Sequence, residues 1–210
     1  EQLMSTGGVW SACDQFAHLP KDNQAAVLSV LASYAGVVKD AIEEMEQAQT
    51  EPQDPFSDVL DDEDLNSRGN QDTYWSESDR QLLAPCQGLM KASAACLRKL
   101  SAAVKSNGKA NSPESIAQLD DLADIAKDIS PSVDDLALSL YPPMDYSAVE
   151  LNVKRPLWSK ASVFRSSLSA SLPYRASHVC LEADQSWVQF LEGAAEHNLE
   201  KAKVLIQDSS

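Results

Sequence analysis

The sequence predicts an all-α protein, a bundle of long antiparallel amphipathic helices interrupted by a disordered acidic loop. Three observations predict it. Apolar residues recur at alternating intervals of three and four along several long segments, the spacing of one helix face. No segment sustains the alternation of a half-buried strand. Serine–proline pairs and a late glycine stand where such helices start and stop.

The clearest helix spans residues 21–50, where Leu28, Leu31, Ala35, Val38, Ile42 and Met45 form one stripe. Pro20 precedes it, and Asp22 suits the cap or first turn. Glu43, Glu44 and Glu46 lie near the end where the helix dipole disfavours acids, so packing has to hold that end. Upstream, Val9, Trp10, Cys13, Phe16 and Ala17 read as the last turns of another helix. Residues 1–50 thus hold the end of one helix and the first long helix of the bundle.

Residues 51–80 carry ten acids and two arginines, a net of −8 in a chain whose total is −15. Pro52, Pro55 and Gly69 punctuate them, and apolar side chains are too sparse to offset ordering entropy. Residues 51–75 are therefore expected to be an acidic flexible loop whose last two residues, Tyr74 and Trp75, dock on the bundle. The run Asp61-Asp62-Glu63-Asp64 lacks the glycine and the twelfth-position glutamate of a Ca²⁺ loop and reads as solvated.

Residues 76–210 hold the remaining helices. Ser76 caps a second long helix with Glu77 and Asp79 in its first turn. Its stripe is Leu83, Cys86, Met90, Ser93, Leu97, Leu100 and Val104; Pro85 kinks it or marks a later start, and Gly108 ends it. Ser112-Pro113 opens a third, with Ile116, Leu119, Leu122, Ile125 and Ile129 on one face. Ser130-Pro131 repeats that start for a short helix bearing Val133, Leu136 and Leu140, which reaches Pro142-Pro143. Residues 145–181 read as irregular and basic, through Lys154, Arg155, Lys160, Arg165 and Arg175. Pro156 and Pro173 interrupt them, with a helix expected near 157–171. Residues 185–206 close the chain as an amphipathic helix with Trp187, Leu191, Ala194, Ala202 and Leu205 inward.

Composition and motif exclude several function classes. A net charge of −15 repels phosphate backbones, and Trp158, Phe164 and Tyr174 in the basic stretch read as packing rather than base stacking. No nucleic-acid partner is expected. The longest uninterrupted apolar run is a few residues, far short of a membrane span, so no membrane partner is expected either. Gly108-Lys109 lacks the preceding glycine and following hydroxyl of a phosphate loop. His18, His178 and His197 have no ligand spacing, so no catalytic, cofactor or metal site is predicted. Cys13, Cys86, Cys96 and Cys180 read as free thiols of a reducing compartment, with Cys86 and Cys96 as buried small hydrophobes. The expectation is a non-catalytic interaction protein of cytoplasm and nucleus. Ser57, Ser76 and Ser78 lie among acids, and Ser112 and Ser130 precede proline. All five are possible phosphorylation sites, and each also has a reading as a cap or loop residue.

Several segments carry a family resemblance. They are Leu119-Asp120-Asp121 through Ile125, then Ile129 to Ser139 and Tyr141-Pro142-Pro143-Met144. Val37 to Ala41, Glu43 to Ala48, Tyr74-Trp75-Ser76-Glu77, Ala176-Ser177-His178-Val179 and Ser186-Trp187 join them. Together they closely resemble the cyclin-D-binding protein family, also described as cyclin-D-interacting or maternal-Id-like. The resemblance implies an all-α bundle that binds D-type cyclins, dampens cyclin-dependent phosphorylation of the retinoblastoma protein and sequesters helix-loop-helix transcription factors. Residues 145–175 depart from the family's helix, and the chain is similar to the C-terminal portion of such a protein. The stripes at 28–45 and 83–104 would suit a helix-loop-helix partner, but an intramolecular core is the preferred reading. The competing reading, from another class, is a cytoskeletal or adhesion adaptor of the talin–vinculin bundle type.

Overall fold

A computed structural model describes residues 2–16, 18–50, 74–155 and 185–208 of the chain. Among the described residues there are seven α-helices and no strand: α1 Gln2–Phe16, α2 Asn23–Thr50, α3 Glu77–Asn107, α4 Pro113–Lys127, α5 Ile129–Leu140, α6 Tyr146–Val153 and α7 Gln185–Asp208. The all-α prediction holds. The acidic segment up to residue 73 and the helix expected near 157–171 lie outside the described residues.

Helix α2 starts where Asp22 caps it, with the Ala25 N–H donating to Asp22 Oδ1 at 2.7 Å. Val27, Leu31, Val38, Ile42 and Met45 are buried, and Leu28 and Ala35 pack half-buried at the edge of that stripe. By length and composition α2 would pass for a membrane-crossing helix, unlike the short runs noted in the sequence. One face of it, Val27, Leu31, Val38, Ile42 and Met45, packs on α3, α4 and α5.

Helix α3 is the centre of the bundle, packed on α2 and α7. A reciprocal capping box fixes its start: the Asp79 N–H donates to Ser76 Oγ at 3.1 Å and the Ser76 N–H to Asp79 Oδ2 at 2.7 Å. Pro85 neither ends nor delays the helix, which runs through it. An interior proline costs about 3 kcal/mol. That penalty is carried by Leu82, Leu83, Leu89 and Met90 around it, all buried, each contributing about 1.5–3 kcal/mol. The predicted stripe from Leu83 to Val104 is buried throughout, and so is a second one, Leu82, Leu89, Cys96 and Ala103. Two stripes follow from having two neighbours.

The α2–α3 pair is antiparallel. At one end Gln24 Nε2 donates to the Val104 carbonyl at 2.8 Å; near the other, Lys91 Nζ and Glu46 Oε1 pair at 2.8 Å. Gly108 closes α3 by donating its N–H to the Val104 carbonyl at 2.8 Å. Its φ of −58° is ordinary; glycine is required because an added Cβ would fall 2.5 Å from the Val104 oxygen.

Helix α4 begins as predicted, with the Ser115 N–H donating to Ser112 Oγ at 3.2 Å and Pro113 in first place. The Ser130-Pro131 start is corrected: α5 begins at Ile129, directly after the single residue Asp128 that ends α4. So abrupt a turn draws Ile129 and Ser130 into the core, and Ser130 is 6% exposed rather than a cap. Proline at the third helical position is tolerated because first-turn N–H groups have no intrahelical partner.

Helix α6 was not expected within the irregular basic segment. Asp145 caps it through the Ala148 N–H at 2.9 Å, and Val149, Asn152 and Val153 are its buried residues. In α7, Leu191 and Ala202 are buried as expected. Val188, Ala195, Leu199 and Ile206 complete its stripe, with Trp187, Ala194 and Leu205 at the edge. Helix α1 starts at Gln2 and leaves Val9, Trp10 (72% exposed) and Phe16 in solvent.

Candidate interaction surface

Small residues make the α2–α3 hairpin concave. Ala35 and Gly36 on α2 and Ala94 on α3 leave a groove of about 470 Å³. A Cβ added at Gly36 would meet nothing within 4 Å. Ile42 also lines it, with Lys39, Glu43 and Glu46 from α2 and Lys91 and Arg98 from α3. Lys39 pairs with Glu43 at 3.1 Å, and Lys91 with Glu46 at 2.8 Å. Both pairs are about half exposed or more, so each contributes about 0–1 kcal/mol and is readily exchanged for another partner. Arg98 has no ion pair among the described residues. Sequence reasoning missed this site. Its signal is the spacing: 39, 43 and 46 share one face of α2, and 91, 94 and 98 share one face of α3. Arg98-Lys99 by itself looks like an ordinary solvated face.

A second constellation is structural. Trp75 Nε1–H donates to the Leu140 carbonyl at 2.6 Å, and the Trp75 and Tyr141 rings lie 6.4 Å apart. The Tyr146 hydroxyl donates to Asp79 Oδ1 at 2.6 Å. Trp75 therefore docks as the sequence suggested, and the Tyr74-Trp75-Ser76-Glu77 segment clasps the start of α3 to the α5–α6 turn.

The opposite side of α2 is acidic. Burial, then the charges of Asp135 and Glu44, push the Asp134 carboxyl above the usual aspartate range. Burial and Glu44 likewise raise the Tyr141 phenol. Arg155 offsets part of this charge by pairing with Asp135 at 2.6 Å. At the start of α4, the Glu114 N–H and the Ser112 hydroxyl hold the Glu114 carboxyl below its usual range.

Of the sequence-selected side chains, Ser76 and Ser78 are exposed, Ser112 is half-buried as a cap, and Ser130 is closed to an enzyme in this fold. Ser57, His178 and Cys180 lie outside the described residues. Cys13, Cys86 and Cys96 are free thiols; Cys13 is exposed, and the other two are buried as expected. Burial pushes the Cys86 thiol up to about 12. His18 and His197 are both exposed.

By architecture the chain is an all-α bundle built on a long antiparallel hairpin, with a charged groove along that hairpin. Sequence comparison places it more narrowly. The family profile "Grap2 and cyclin-D-interacting, N-terminal" matches residues 1–51, and "Grap2 and cyclin-D-interacting, C-terminal" matches residues 60–156. The chain belongs to this Grap2- and cyclin-D-interacting family. It is 60% identical over 212 residues to a zebrafish (Danio rerio) protein and 56% over 206 residues to one from Xenopus laevis, each described as "Cyclin-D1-binding protein 1 homolog". It is 42% identical over 218 residues to human "Cyclin-D1-binding protein 1". These matches take in 98–100% of the chain but 58–60% of each relative, so the chain spans about three fifths of their length. The C-terminal likeness read in the sequence is thereby extended: α2 falls in the N-terminal profile, yet packs on α3, α4 and α5 of the C-terminal one.

Proposed function

We propose that this chain binds a D-type cyclin and acts by stoichiometric association rather than by catalysis. The observation that carries the reading is the likeness to proteins named for binding cyclin D1, which runs over nearly the whole chain. The chain then lowers cyclin-dependent phosphorylation by occupying the cyclin, in the cytoplasm and the nucleus. Burial of Cys86, whose thiol stays protonated at neutral pH, argues against a thiol nucleophile there. Sequestration of a helix-loop-helix factor belongs to the same proposal but needs another surface than the expected stripes. Leu31, Val38, Leu97 and Leu100 are sealed in the core, whereas Trp10, Phe16, Leu138 and Leu151 face solvent.

The test is retention of purified D-type cyclin by the immobilised chain at physiological salt, with an A-type cyclin as control. Selective retention is expected. No retention, combined with co-sedimentation on F-actin, would overturn the reading in favour of the adaptor class.

A further inference from the structure

We propose that the α2–α3 groove is the docking site for an acidic amphipathic helix of a partner protein, with Arg98 as its charged anchor. The inference deepens the reading above and rests on it only for the partner's identity. Three cations, Lys39, Lys91 and Arg98, meet two carboxylates there, in a chain whose net charge is −15. The groove is thus locally cationic on an acidic molecule, and Arg98 is the cation without an ion pair among the described residues. A planar guanidinium in that position takes a carboxylate through two parallel hydrogen bonds.

Shape agrees with charge. Gly36 and Ala94 let another backbone approach closely, and Ile42 gives an apolar contact on the floor. From residue 35 to 46 the α2 wall runs about 16 Å, the length of about three helical turns. Such a wall suits a helix that presents apolar residues at i, i+3 or i+4, and i+7 with acids flanking them. Lys39 and Lys91 would exchange their exposed pairs with Glu43 and Glu46 for the incoming carboxylates.

The experiment uses the full chain and a fluorescent synthetic amphipathic peptide of about 18 residues. Leucines occupy one face and glutamates the other, and a control peptide replaces every glutamate by lysine. Anisotropy should show saturable binding of the glutamate peptide and at least about tenfold weaker binding of the lysine peptide. Arg98→Glu should weaken the glutamate peptide about tenfold. Gly36→Trp, whose Cβ would meet nothing within 4 Å, should abolish binding while leaving the circular dichroism unchanged. No binding, equal binding of the two peptides, or indifference to both substitutions would each overturn the groove. In a parallel arm both variants are scored for cyclin retention. If the peptide binds as expected but the wild-type chain retains no cyclin, the cyclin reading fails and the groove stands. If the variants lose the peptide and retain cyclin fully, the groove serves a partner other than cyclin.

Discussion

Three glycines inside long helices give a stability test that follows directly from the packing. Replacing an interior glycine by alanine stabilises a helix by about 0.8–1 kcal/mol, because alanine loses less backbone freedom on folding. At Gly36 in α2 and Gly193 in α7 the new Cβ would meet nothing within 4 Å, so the gain should appear in full. Gly88 in α3 is different. A Cβ there overlaps the Asn198 side chain on α7. Asn198 is held by its own Nδ2–H donating to the Ala194 carbonyl at 2.7 Å, so turning it away forfeits that bond. The lost bond costs about 1 kcal/mol, and overpacking adds about 1–3 kcal/mol.

Gly88→Ala should therefore lower stability by about 1–3 kcal/mol once the propensity gain is counted. Gly36→Ala and Gly193→Ala should each raise it by somewhat less than 1 kcal/mol. Urea unfolding followed by far-ultraviolet circular dichroism measures all three, with unchanged slopes showing that the surface exposed on unfolding has not changed. Asn198→Ala should remove the obstacle, so adding Gly88→Ala in that background should no longer destabilise. If Gly88→Ala stabilises as much as Gly36→Ala, the close approach of α3 and α7 is refuted.

Tyr146→Phe removes one hydrogen bond accepted by buried Asp79 and should lower stability by about 1 kcal/mol; an unchanged urea midpoint would show that the clasp contributes nothing. Maleimide labelling read by peptide mass spectrometry should modify Cys13 in the native chain but Cys86 and Cys96 only after unfolding. Equal native rates at Cys13 and Cys86 would contradict the burial. Asp134 has a folded pKa raised above its unfolded value of about 3.8, so the folded state holds that proton more tightly. Its contribution to stability is complete below that value and is lost as pH rises through the folded pKa. Asp134→Asn should accordingly melt higher than wild type at pH 7, with the difference vanishing at about pH 3; a difference constant with pH would rule out the shift that burial and the neighbouring carboxylates impose on Asp134.

The legible parts of the fold were those set by local physics. Ser76 with Asp79, Ser112 with Pro113, and Asp22 each satisfy helix-start N–H groups within three residues, and all three caps form. The parts that escaped depend on distant neighbours. Ser130-Pro131 carries the same local signature as Ser112-Pro113. However, the one-residue reversal at Asp128 pulls Ser130 inward, because Ile129 has to reach the core. Helix α6 escaped because its two inward valines are separated by only one turn, too little for periodicity to register. The groove escaped for a further reason: its substance is what Ala35, Gly36 and Ala94 lack. Small side chains carry no periodic signal until the facing helix is in place.

The same packing decides where a partner can bind. An apolar stripe cannot hold the core together and be offered to another protein at once. Exposing Leu31 and Val38, or Leu97 and Leu100, means detaching α2 or α3, and α2 alone seals contacts with α3, α4 and α5. The cost would approach the whole stability of a domain, about 5–15 kcal/mol, which is comparable to the entire free energy of a nanomolar complex, about 12 kcal/mol. Association through the buried stripes would thus consume nearly everything it released. Surfaces that are already open carry no such penalty. Of these, the groove beside Arg98 combines small residues, an apolar floor and a cation that has no ion pair among the described residues. A chain that binds a partner in the way proposed would gain most from such a preformed site, because the fold stays intact while the partner comes and goes.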